Sequence, residues 1–273
     1  MNNQTIRDVQ KKILEIMMYI DRLCRDNDIV YYIMGGTALG AVRHGGFIPW
    51  DDDLDIFMTP DNYKKFKTVF EHENNTLFIL QEWRVCKEYL EYAKVRMNGT
   101  TFIESNFKHI KDMHHGIYVD IMILHKSPEN IFALRDVYYK SKYITLYALS
   151  QRNWKFKTFM QKLALKALKM LPNKLLSKSA YHTIYKYDDL HSKFNYCYYI
   201  TRATIKQGLF PPEMFGKPVD ITFEDTILMG PTDLKGYLVL RYGNYMRLPS
   251  VGQQKVMIHA EWFDTEKSYE IYL

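Results

Sequence analysis

The chain has 273 residues, 47% of them hydrophobic and 25% charged, with a net charge of +6. That mixture suits a folded protein with a sizeable core, either one large domain or a domain with an appended lobe. No apolar run approaches the ~20 residues that span a bilayer, residues 1–12 are polar rather than signal-like, and Cys24, Cys86 and Cys197 are too scattered to form a metal-type pair, so free thiols and a cytoplasmic location are expected.

Residues 5–26 place Ile6, Val9, Ile13, Ile16, Met17, Ile20 and Leu23 at helical spacing, which predicts an amphipathic helix. Residues 29–34 are a short apolar run ending in Gly35-Gly36, read as a strand, a tight turn and then a helix over 37–44. A second strand over 54–58 stops at Thr59-Pro60, and 61–72 is a helix with Thr59 as its cap and Pro60 in its first turn. Residues 77–83 and 90–97 read as strands, 101–104 is expected to continue their sheet, and GIYVDIMIL over 116–124 is a strand apolar on both faces except at Asp120. From 130 to 189 the pattern turns helical and basic. Between Arg135 and Lys178 stand eleven Lys or Arg against the single acid Asp136, a surface suited to something anionic. Residues 219–223 and 226–229 flank Glu224-Asp225 as a hairpin, and 232–242 is a helix capped by Thr232 and ended by Gly243. Strands before 124 and helices after 130 predict an α+β fold: a core over 1–128, a basic helical lobe over 129–195, and an α/β part over 196–273 that completes the core.

Asp51, Asp52, Asp53 and Asp55 crowd into five positions. Like charges about 4 Å apart repel by about 1 kcal/mol in water and about 4 kcal/mol at a protein-like dielectric, so solvent, a basic group or a metal ion must offset the repulsion. Residues two apart on a strand share a face. Asp53 and Asp55 then project together, which is half of an oxygen site for a hard cation such as Mg²⁺. Asp120 is a third carboxylate of interest. It joins the other two if the strands are neighbours; otherwise it pairs with a core cation such as Arg96 or caps a turn. Gly35-Gly36-Thr37, opening a helix, offers free N–H groups and a positive dipole end to a phosphate, and Arg43 further along adds forked donors. Each feature alone is weak; the order strand, Gly-Gly, helix, Asp-x-Asp strand and later Asp points to a metal-dependent phosphate site.

Those residues carry a resemblance. The order hydrophobic-Gly-Gly, Asp-x-Asp, then a distant Asp is similar to the nucleotidyltransferase superfamily. GGTALGAVRHGGFIPWDDDLDI resembles the signature of the LicD family, and GIYVDIMILHKSP, TRATIKQGLFPPEMF and LVLRYGNYMRLPS followed by His259 continue the likeness over roughly 30–260. The resemblance implies a nucleotidyltransferase-like mixed sheet flanked by helices. It implies Asp53, Asp55 and Asp120 as catalytic metal ligands for Mg²⁺, as two ions, with Mn²⁺ as a substitute. Gly35, Gly36, Thr37 and Arg43 would hold phosphate; Asp51, Asp52, Arg96 and His259 complete the expected binding set. The implied reaction moves phosphocholine or a similar phospho-alcohol from a CDP-linked donor to a glycan or lipid-linked glycan hydroxyl, releasing CMP. Transfer of a nucleoside monophosphate, or a silent binding scaffold, are the alternatives. Asp→Asn changes at 53, 55 and 120 are expected to remove self-repulsion and so preserve stability.

Two further readings concern partners. A choline head group favours aromatic walls, and Trp83, Trp154, Trp262 and 196–199 are candidates. Residues 155–171 form a basic amphipathic pattern, read either as a peripheral contact on the inner face of a membrane or as an ordinary helix with a solvated Lys face. No nucleic-acid reader motif is present, so no nucleic-acid partner is expected.

Overall fold

The computed structural model describes residues 4–82, 92–110, 113–151, 158–188, 196–197, 204–254 and 258–273. Helix α1 (Ile6–Asp26) follows the apolar spacing: Val9, Ile13, Ile16, Met17, Ile20 and Leu23 are all buried. Thr5 and Asp8 form a capping box at its start. Strand β1 (Tyr32–Ile33) is shorter than the apolar run suggested, and helix α2 (Gly35–His44) begins on the glycines themselves. Strand β2 (Asp55–Met58) leads into α3 (Pro60–His72), where the Thr59 hydroxyl accepts from the Asn62 N–H as the expected cap. Then come β3 (Phe78–Gln81), β4 (Ala93–Met97), β5 (Thr101–Glu104) and β6 (Tyr118–Ile123).

Five of these strands form a mixed sheet in the order β1-β2-β6-β4-β3, with β2 and β6 parallel and the other pairs antiparallel. This is the expected α+β class. Strand β6 lies at the centre, which explains its near-continuous apolar sequence: Val119, Ile121 and Ile123 are buried. Strand β5 does not continue this sheet, contrary to expectation; it pairs with a strand at the far end of the chain.

After the short β7 (His125–Lys126), helices α4 (Ile131–Gln151), α5 (Phe159–Lys169) and α6 (Asn173–Tyr185) make the basic helical segment. It has its own apolar cluster, Leu134, Val137, Ile144, Ala180 and Ile184, between α4 and α6. Residues 155–157 of the predicted basic helix lie outside the described residues; α5 starts after them, with Thr158 as cap.

Strand β8 (Tyr196–Cys197) pairs with β7 and, past the single-turn α7 (Ile205–Gly208), with β9 (Leu209–Phe210). The predicted hairpin is β10 (Val219–Phe223) and β11 (Thr226–Gly230), closed by Glu224 at φ 55°. Helix α8 (Leu234–Tyr242) is capped by Asp233, whose side chain accepts from the Gly236 N–H, rather than by Thr232, whose hydroxyl donates to the Lys217 carbonyl; Gly243 ends it as expected. The short α9 (Val251–Gln254) and β12 (Ala260–Asp264), the partner of β5, follow. Phe210, Phe215, Phe223, Leu228, Tyr237 and Leu238 pack in the same core cluster as α1 and the sheet.

Candidate active site

The parallel register sets Asp55 of β2 directly beside Asp120 of β6, about 4.8 Å away across the ladder. The antiparallel register of β4 adds Lys94 next to Asp120. Register partners point to the same face, so Asp55, Asp120 and Lys94 make one row across three strands, and Asp53 stands two positions before Asp55 on that side. The Lys94 Nζ donates to Asp120 Oδ1 at 2.7 Å and lies 3.2 Å from the centre of the Tyr118 ring, with the Lys94 side chain fully buried. Burial pushes the Asp120 carboxyl up to about 6 even with Lys94 opposing it.

Arg96, expected in the binding set or as the partner of Asp120, takes neither role. It is fully buried, donates from Nη1 to the Gly116 carbonyl at 2.7 Å and from Nε to the Gln81 side chain. The cation that meets Asp120 is Lys94.

Next to this row, α2 is tied to β2. The Met34 N–H donates to the Asp55 carbonyl at 3.1 Å, and the Asp55 N–H donates to the Thr37 hydroxyl at 2.9 Å. The Gly35 N–H donates to the Tyr237 hydroxyl at 2.9 Å. Gly35 and Thr37 thus spend these groups on shaping the turn. The amide of Gly36 has no acceptor within the helix, as in any first turn. Gly35 sits at φ +56°, and a Cβ there would come 3.1 Å from Asp55 Oδ2; at Gly36 it would come 2.6 Å from Asp51 Oδ2. Glycine is what lets the carboxylates approach the helix start.

A cavity of about 880 Å³ opens at this point. Gly36, Asp51, Asp53 and Asp55 line it together with Arg43 and His259 from the expected set. Tyr242, Asn244, Tyr245, Arg247, Ser250 and Gln253 also line it; they were not singled out from the sequence, although five of them lie in the quoted stretch LVLRYGNYMRLPS. The Arg43 Nη1 donates to the Tyr245 carbonyl at 3.1 Å, which holds the two walls together. Trp262 lies elsewhere, edge-on to Tyr272, and Trp83, Trp154 and Tyr198–Tyr199 fall outside the described residues.

Asp52 and His259 form a clasp behind the acidic wall. The Asp52 carboxylate, fully buried, accepts from the backbone N–H groups of His259 and Ala260 at 2.8 and 2.9 Å and lies 2.9 Å from His259 Nδ1. His259 Nδ1 is also 3.5 Å from Asp53 Oδ2. Burial acts against its charged form, but the bond to Asp52 and the charge of Asp53 win and raise it to about 10. The cavity carboxyls are raised instead: Asp51 to about 8 by burial and by Asp53, Asp53 by burial with His259 opposing, and Asp55 well above the ordinary range by burial, Asp53 and Asp120. Three acids share a partly dry wall with too little positive charge. Among the described residues no three His, Cys, Asp or Glu side chains are gathered tightly enough to hold a metal alone. Asp53 and Asp55 line the cavity as a two-carboxylate ledge, and Asp120 is bonded to Lys94.

The chain is 28% identical over 266 residues to the lipopolysaccharide cholinephosphotransferase LicD of Haemophilus influenzae, covering 93% of this chain and 96% of that protein. It is 31% identical over 134 residues to an uncharacterized protein of Rickettsia prowazekii, covering 48% of this chain and 46% of that one. A stretch of 46 residues is 37% identical to the ribitol 5-phosphate transferase FKRP of Homo sapiens, 9% of that protein's length. Residues 28–145, which hold β1, α2, β2, β6 and every carboxylate of the ledge, match the family described as LicD/FKTN/FKRP, nucleotidyltransferase domain.

Proposed function

We propose that this chain transfers a phospho-alcohol, phosphocholine first among them, from a CDP-linked donor to a hydroxyl of a cell-surface glycan precursor, releasing CMP. One observation carries the reading: a single cavity is lined both by the carboxylates Asp51, Asp53 and Asp55 and by the cations Arg43, Arg247 and His259. Phosphoryl transfer depends on positioning and on neutralising the charge spread over the phosphoryl oxygens, and a donor diphosphate brings the negative charge that these cations meet.

The donor set fits Mg²⁺. Its ligands are hard carboxylate oxygens that repel one another, and Mg²⁺ commonly takes one or two carboxylates and fills its shell with water and substrate phosphates. Asp53 and Asp55 would hold it, and Mn²⁺ suits the same oxygens. Bound there, the ion supplies charge neutralisation at the transferred phosphoryl group. A second ion would draw on Asp120, one oxygen of which is already engaged by Lys94. Arg43 and Arg247, with the Gly36 N–H at the helix start, grip the diphosphate. The acceptor oxygen attacks the phosphorus that carries the alcohol, the bond to the CMP oxygen breaks, and the hydroxyl proton passes to a carboxylate on the cavity wall. Tyr242 and Tyr245 line the cavity, and a ring face against a quaternary ammonium is worth about 0.5–2 kcal/mol per good contact.

A release assay tests the reading. The protein is incubated with Mg²⁺ and, separately, CDP-choline, CDP-glycerol, CDP-ribitol and CTP. CMP from a CDP-alcohol is the expected result. Pyrophosphate from CTP would favour nucleotidyl transfer, and unchanged turnover in chelator would remove the metal from the scheme.

A further inference from the structure

The outer side of α5, and of the corner that joins it to α6, is apolar and uncovered. Phe159 is 76% exposed, Met160 69%, Met170 84% and Leu175 70%. Leu163 and Leu171 are close to half exposed beside them. At 100° per residue, Phe159, Met170, Leu163 and Met160 lie within a sector of about 100°. Leu165 and Leu168 lie on the other side of the helix and are the half-buried ones. Helix α5 thus has two apolar sides and uses one of them. An ordinary surface helix with a solvated Lys face accounts for the Leu165–Leu168 side and leaves the outer one unexplained.

Exposed Lys166, Lys174 and Lys178 stand on the same two helices, within the segment of eleven basic residues and one acid. An apolar patch among lysines is the composition of a helix lying in a membrane interface: the apolar side enters the headgroup boundary and the ammonium groups meet lipid phosphates. A second copy of this chain is a poor occupant, because apposed copies would bring two strongly basic segments together. No described helix is long and apolar enough to cross a membrane, so the contact lies on the bilayer surface.

We propose that the α5–α6 corner seats on an anionic lipid bilayer, with Phe159, Leu163, Met170 and Leu175 as the inserted side chains and Lys166, Lys174 and Lys178 at the phosphates. The proposal does not depend on the donor or acceptor assigned above.

Co-sedimentation with vesicles tests it, using phosphatidylcholine alone and phosphatidylcholine mixed with phosphatidylglycerol, at low and high salt. The full chain is expected to pellet with the mixed vesicles, to bind neutral ones far less, and to be partly released by salt. Phe159→Ser/Met170→Ser/Leu175→Ser should weaken binding at least about tenfold with an unchanged melting temperature, since these side chains face solvent. Lys166→Glu/Lys174→Glu should also weaken it, and tests the charge separately from the apolar contacts. No pelleting with anionic vesicles at low salt overturns the proposal, as does serine-variant binding equal to the parent's. A concentration-dependent dimer in sedimentation velocity, lost in the serine variant, would assign the face to a second copy instead.

Discussion

Replacing Lys94 by Met separates two roles that a carboxylate row can play. The Lys94 side chain is fully buried, its Nζ lies 2.7 Å from Asp120 Oδ1, and Asp120 is itself only 4% exposed. Removing one partner of a buried pair leaves the other charge uncompensated and costs about 3–5 kcal/mol. Methionine nearly preserves the stem volume, so little of that cost comes from a cavity. Lys94→Met is therefore expected to lose at least about 3 kcal/mol, roughly 6–12 °C in melting temperature for a chain of this size. Asp120→Asn should lose a similar amount, because it strands the ammonium. This departs from the expectation that all three Asp→Asn changes spare stability: Asp55 sits among other acids, whereas Asp120 faces Lys94. The double variant Lys94→Met/Asp120→Asn should recover at least about 2 kcal/mol relative to the sum of the singles. Urea unfolding of the four metal-free proteins measures the cycle. Costs that add within about 0.5 kcal/mol, or a stabilised Asp120→Asn, would refute the argument.

Asp53→Asn and Asp55→Asn should each cut CMP release by at least about a hundredfold, and for Asp55→Asn, whose nearest charged neighbours are acids, the melting temperature of the metal-free protein should hold or rise. Adding Mg²⁺ to chelator-stripped protein should raise the melting temperature, with about 2.7 kcal/mol expected at a hundred times the dissociation constant; Asp55→Asn should lose most of this shift, as thermal melts at increasing Mg²⁺ will read. Gly36→Ala, whose new Cβ would crowd Asp51 Oδ2, should lower CMP release with little effect on folding, whereas Gly35→Ala also forces a side chain into φ +56° and should destabilise by about 1–2 kcal/mol in urea melts. His114 accepts the Gly116 N–H at Nδ1 and lies 2.9 Å from the Asn98 side-chain oxygen at Nε2, and burial, Arg96 and His115 lower its pKa from 6.5 to about 3. Because the unfolded chain takes up this proton first, its contribution is complete above pH 6.5 and declines on acidification, reaching a loss of about 2 kcal/mol near pH 5; His114→Gln should flatten that part of a stability–pH curve.

The elements that were legible are those whose signal is local. The 3.6-residue spacing of α1, the Thr59 cap of α3, the β10–β11 hairpin and the unbroken apolar run of β6 each carry their instruction in adjacent residues. What failed was pairing. Residues 29–34 look like a full strand, but only Tyr32 and Ile33 find a partner in β2. Residues 101–104 look like an extension of the main sheet, but β5 pairs with β12. Strand partners are chosen by packing across long sequence separations, and nothing within a strand names its partner. The same holds for a cap: Thr232 and Asp233 both suit the position, and Asp233 takes it while the Thr232 hydroxyl donates to the distant Lys217 carbonyl.

The site divides along the same line. Asp53 and Asp55 are readable from a period of two, and the importance of Asp120 from its isolation among apolar neighbours. The sequence did contain a signal for Lys94: AKVRM places Lys94 and Arg96 two apart on a buried strand, so both charges enter the interior on one side and each requires a partner there. Only the register decides that Lys94 meets Asp120 while Arg96 meets Gln81 and the Gly116 carbonyl. That choice shapes the chemistry. Asp120 has Lys94, and Asp52 has two backbone N–H groups and the His259 ring. Asp55 has neither, and its surroundings hold its carboxyl well above the ordinary range. The protein neutralises the inward-facing Asp120 and Asp52, gives Asp53 the His259 ring at 3.5 Å, and leaves Asp55 among other acids. On the proposed function, a cation arriving with the donor's phosphates would relieve the excess charge at Asp55, so the Asp-rich turn would favour binding of the metal and the diphosphate together over either alone.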